Sequence, residues 1–105
     1  MPHRDGKKFL GTHTTYTDLA VRVADIAVRL PDVRGVSPGV VKNGSGTSGG
    51  SQRVKFADMQ GFILLTVRQS STVQEVRVFC TNMQTTRTAL ARALRDQGIP
   101  IAFLH

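Results

Sequence analysis

Cysteine is nearly absent from this 105-residue chain: Cys80 stands alone, so no internal disulfide can brace the fold. A single thiol, together with the lack of a signal-peptide pattern, points to a reducing, cytoplasmic setting. Long apolar runs are absent too. None approaches the roughly 20 residues that a bilayer-spanning helix needs, so no membrane association through a span is expected. Acidic residues number seven against 14 lysines and arginines. No two carboxylates form an evident pair, which leaves a two-carboxylate mechanism without support. Histidine is scarce as well, with His3, His13 and His105 in no ligand spacing such as His-x-x-x-His, and there is no Cys-x-x-Cys. His13, near Tyr16 and Asp18, reads as a capping or surface residue rather than a base or ligand. Without a nucleophile, a base and a group to orient it, no catalytic residue, no metal site and no cofactor is expected, and the chain is read as not an enzyme.

What the chain does have is positive charge and one well-patterned stretch. A net charge of +7 and a pI near 10.8 favour polyanionic partners on electrostatic grounds, although such an excess also simply keeps a small protein in solution. The patterned stretch runs from Arg53 to Cys80. It holds three strand-like runs, 53–57, 62–68 and 73–80, separated by the polar breaks 58–61 and 69–72, and it reads as an antiparallel meander. Strand side chains alternate between faces. One resulting set is uniformly apolar: Val54, Phe56, Ile63, Leu65, Val67, Val76, Val78 and Cys80. The other mixes cations with large apolar groups: Arg53, Lys55, Phe62, Leu64, Thr66, Arg68, Glu75, Arg77 and Phe79. On the apolar side a thiol such as Cys80 is ordinarily inert packing.

The flanking segments complete the expected layout. Residues 1–12 read as a basic N-terminal arm carrying Arg4, Lys7 and Lys8. Thr15 and Asp18 have the form of a capping box, and Tyr16, Leu19, Ala20, Val23, Ile26, Ala27 and Leu30 recur at helical spacing until Pro31 ends the helix. Residues 33–41, with Gly35, Pro38 and Gly39, read as a bent edge strand. The glycine- and serine-rich loop 43–51 leads into a strand rather than a helix, so it reads as a flexible connection and not as a phosphate-cradling P-loop. A second helix begins at a Thr81 or Asn82 cap and runs to about Gln97, with Met83, Thr86, Leu90, Ala93, Leu94 and Gln97 inward, Arg87, Arg92 and Arg95 outward, and Gly98 as a left-handed terminator. The apolar tail 99–104 either adds an edge strand or folds over an exposed apolar surface. The expected fold is therefore one α+β domain over residues 1–105. It is a two-layer sandwich in which two helices cover one face of an antiparallel sheet of three to five strands, in the order α-β-β-β-β-α.

Function rests on the mixed set. Three large apolar groups, Phe62, Leu64 and Phe79, lie beside Arg53, Lys55, Arg68 and Arg77 on the side away from the helices, and such a patch ordinarily has a partner. Two occupants suit it. One is protein, as a sheet-to-sheet homodimer or the folded-back tail. The other is single-stranded nucleic acid, whose bases stack on rings while cations take the phosphates, bound weakly and with little regard to sequence. No helix-turn-helix, RNP or KH pattern is present to narrow the choice. These seven residues are the candidate contacts in both cases.

Overall fold

The computed structural model of the chain describes residues 18–43, 50–70 and 72–103. The elements run α1 (Asp18–Val28), β1 (Val33–Asn43), β2 (Gly50–Asp58), β3 (Phe62–Ser70), β4 (Thr72–Cys80), α2 (Met83–Asp96) and β5 (Ile101–Phe103). The five strands form one sheet in the order β1-β4-β3-β2-β5. This is the expected two-layer α+β sandwich, and β1 is the bent edge strand, with register shifts at Val33/Gly35 and Pro38/Val41. The arm 1–12, the capping box at Thr15, His3, His13, His105 and most of the loop 43–51 lie outside the described residues.

Alternation along the meander sets the core. Val54, Phe56, Ile63, Leu65, Val67, Val76 and Val78 are all buried at 1% exposure or less, and Cys80 is half-buried against them. The helices lay their apolar stripes on this face. α1 contributes Leu19, Ala20, Val23, Ala24 and Ala27, and α2 contributes Thr86, Leu90, Ala91 and Leu94. Val36 from β1 and Ile99 from the segment after α2 close a single cluster around them. The 3.6-residue period therefore positions α2 slightly differently from the expected stripe. Ala91 is inside, and Gln97, the C-cap, is exposed at the helix end.

Local chemistry fixes the element ends. Asn82 caps α2, its side-chain oxygen accepting the Thr85 N–H at 3.0 Å. At the other end Gly98 takes φ +75°, its N–H donates to the Arg95 carbonyl, and the Ile99 N–H donates to the Leu94 carbonyl. That pair of bonds is a Schellman motif, and it turns Ile99 into the core. The chain then enters β5, which pairs with β2 in parallel, Val54 opposite Ile101 and Phe56 opposite Phe103. The tail is thus an edge strand over 101–103, and it makes the sheet mixed where a wholly antiparallel one was expected. A parallel neighbour is the physical consequence of α2 carrying the chain back along the sheet before the strand begins.

The first helix has a long-range cap. Gln69, on the core-facing side of β3, accepts the Leu19 N–H at 2.8 Å through Oε1. Free N–H groups at a helix start need such an acceptor.

Candidate functional site

The face of the sheet opposite the helices carries no described element. Strand pairing arranges its side chains in rows, because residues directly opposite each other on neighbouring strands share a face. Phe79 of β4 stands opposite Phe62 of β3. In the next row Arg77 faces Leu64, and Leu64 faces Ala57 of β2. Then come Glu75, Thr66 and Lys55, and finally Val73, Arg68 and Arg53. All seven residues singled out from the sequence are brought together on this surface, and the buried neighbours Ile63 and Val78 confirm that Phe62 and Phe79 point away from the helices.

Register adds an order that the sequence does not display. Phe62, Phe79 and Leu64 lie at one end together with Arg77, and the other three cations, Arg53, Lys55 and Arg68, gather toward the opposite end. The two phenylalanine rings touch, with centroids 5.3 Å apart and planes inclined by 40°. Tilted pairs of this kind contribute about 0.5–1.5 kcal/mol beyond simple burial. Phe79 nevertheless remains 39% exposed. Strand β1 adds only small groups beside it: Gly35 is opposite Phe79 and Ser37 is opposite Arg77. The rings and guanidinium groups therefore stand above their β1 neighbours and are reachable from solvent.

Electrostatics of the face follow from what pairs with what. Among the described residues the ion pairs of arginine are Arg29 with Asp25 at 3.2 Å on α1, and Arg87 of α2 with Asp58 at the end of β2. Both are exposed pairs worth at most about 1 kcal/mol. Neither involves the open face, so Arg53, Lys55, Arg68 and Arg77 have no acidic partner among the described residues. By contrast, the groove of about 430 Å³ on the helix side, between α1 and α2, is rimmed by Arg22 and Arg29 together with Asp25 and Asp96. Its charges cancel, and it offers no comparable concentration of one sign.

Two features of the site were not anticipated. Glu75 lies over Gly39 of β1: a Cβ at position 39 would stand 2.7 Å from the Glu75 Cβ and 3.0 Å from its Oε1. Gln69 serves α1, and its parity within β3, continuing Ile63, Leu65 and Val67, was the sequence signal that it faces the helices.

Together these features define a two-layer α+β domain whose sheet leaves one ring-and-cation face free of described elements. The chain belongs to the DUF2103 family, described as predicted metal-binding proteins, whose family model matches residues 4–95. No curated protein and no solved structure matches it. The family description implies a metal ion, whereas the sequence pattern led to the expectation of none. Among the described residues no three His, Cys, Asp or Glu side chains come together, so these residues do not by themselves fit a metal. The sulfur atoms of Cys80 and Met83 lie 3.6 Å apart where β4 hands over to α2, two soft donors without a third ligand among the described residues. No helix among the described residues is long and apolar enough to cross a membrane.

Proposed function

We propose that the protein is a non-catalytic binding module that takes single-stranded nucleic acid on its open sheet face. The observation that carries this reading is the pairing of half-buried Phe62 and exposed Phe79 into a ring platform on the same surface as Arg53, Lys55, Arg68 and Arg77, which have no acidic partner among the described residues. Bases of any identity stack on such rings, and cations along the strands take the backbone, so the binding is tolerant of sequence. We place this work in the reducing cytoplasm, on the ground that the chain has one cysteine and so relies on no internal disulfide.

Fluorescence anisotropy with a labelled single-stranded oligonucleotide tests the reading. With four phosphates neutralised and a slope of about −0.7 per phosphate, affinity falls roughly fiftyfold between 50 and 200 mM salt. Phe62→Ala weakens binding by about 5- to 160-fold, the loss of one stacked base. Affinity indifferent to both salt and Phe62 would sink the proposal.

A second reading is favoured by the apolar end of the same face, where Phe62, Leu64, Phe79 and Ala57 adjoin. There the face packs against its copy in a homodimer. Sedimentation equilibrium distinguishes it, because Phe62→Asp then yields a folded monomer from a dimeric parent.

A further inference from the structure

Three cations crowd one end of the open face. Arg53 lies directly opposite Arg68 in the β2–β3 pairing, and Lys55, two positions along β2, is opposite Thr66 on the same side. Like charges placed opposite each other on adjacent strands repel and destabilise the pair. Nothing among the described residues relieves that repulsion, since the two arginine ion pairs lie elsewhere. Glu75 is on the face but leans over Gly39, toward β1 and so to the side of β4 away from β3 and β2. The ring platform is at the other end: Phe62 precedes Arg68 by six residues of one strand, about 20 Å at roughly 3.4 Å per residue.

We infer that Arg53, Lys55 and Arg68 form a seat for phosphate groups, self-repelling until an anion fills it. A strand bound to this face then runs along β3 with a base on the Phe62–Phe79 platform and its backbone on the seat. The identity of the polymer rests on the nucleic-acid reading; the seat does not. A stacked strand advances about 3.4 Å per nucleotide, so the span from platform to seat takes roughly six nucleotides, and fewer when unstacked. That lies within the range of about 4–16 nucleotides typical of small single-strand binding domains.

The test is thermal unfolding of the full chain with and without tripolyphosphate, in the parent and in Arg68→Thr, Arg53→Gln, Arg68→Lys and Phe62→Ala. Tripolyphosphate raises the unfolding temperature of the parent. Arg68→Thr and Arg53→Gln each raise that of the free protein by about 1–5 °C, through relief of repulsion. Each also weakens tripolyphosphate binding about tenfold or more. Arg68→Lys retains most of the anion-induced shift, and Phe62→Ala retains it while losing oligonucleotide affinity. No shift in the parent, or a shift unchanged in both Arg68→Thr and Arg53→Gln, overturns the seat. If tripolyphosphate binds through Arg53 and Arg68 but oligonucleotides do not bind, the seat stands and the nucleic-acid reading fails. Oligonucleotides that bind Arg68→Thr and Arg53→Gln as tightly as the parent, while tripolyphosphate shifts neither the parent nor the variants, leave that reading standing and remove the seat.

Discussion

A methyl group at position 39 has nowhere to go. Its carbon would sit 2.7 Å from the Glu75 Cβ, whereas one at Gly35, on the same strand and the same face, meets nothing within 4 Å. Gly39→Ala is therefore expected to lower stability by about 1–3 kcal/mol in chemical denaturation, and Gly35→Ala to change it by about 0.5 kcal/mol or less. Equal effects would show that Glu75 does not lie as described. Thr86 offers a substitution of opposite sign. Its hydroxyl is buried on the inner side of α2 with no hydrogen-bond partner among the described residues, and an unmet polar group in a core costs about 1–3 kcal/mol. Thr86→Val is expected to raise the denaturation midpoint, and a lower midpoint would mean that the hydroxyl has found a partner. Neither residue could be assessed from sequence. Gly39 registers there only as a strand breaker and Thr86 only as one step of a helical stripe, because the neighbours that decide both cases come from other strands.

Elements were legible where their signals are local. Asn82 and Gly98 bracket α2 through bonds spanning five residues or fewer, so the cap and the left-handed terminator could be read directly. Asn82→Ala is expected to cost about 1 kcal/mol, read as a lower denaturation midpoint; an unchanged midpoint would mean that water replaces the cap. The two-residue period of the meander likewise separated Ile63, Leu65 and Val67 from Phe62, Leu64 and Thr66 without any knowledge of pairing. Row order was a different matter. It depends on Gln69 pairing with Thr72 across a turn in which Ser70 takes φ 56°, and on the neighbouring hairpin, where Gly61 takes φ +90°. Two turns thus decide that Phe62 meets Phe79 and that Arg53 meets Arg68. The parallel docking of β5 on β2 was illegible for a related reason: an edge strand of three residues carries too little pattern to declare its direction or partner.

At the scale of the molecule, one cluster joins both helices to four strands, and the Cα radius of gyration of 13.1 Å is that of one domain of about 100 residues. Such a domain has one sheet face to bury and one to use. Binding a nucleic-acid strand and packing against a second copy exclude each other, since a sheet-to-sheet dimer hides the platform that a bound strand needs. Sedimentation equilibrium with a six-nucleotide oligonucleotide is accordingly expected to show one strand per monomer; a dimer that persists when saturated would assign the face to protein contact. NMR titration of the full chain with that oligonucleotide tests most directly where the ligand lies. The Phe62 and Phe79 ring signals and the Arg53 and Arg68 guanidinium signals are predicted to shift together in proportion to occupancy, while those of Arg22 and Gln97 at the α1–α2 groove stay fixed. Shifts confined to that groove, with the ring signals unmoved at saturation, would contradict the account.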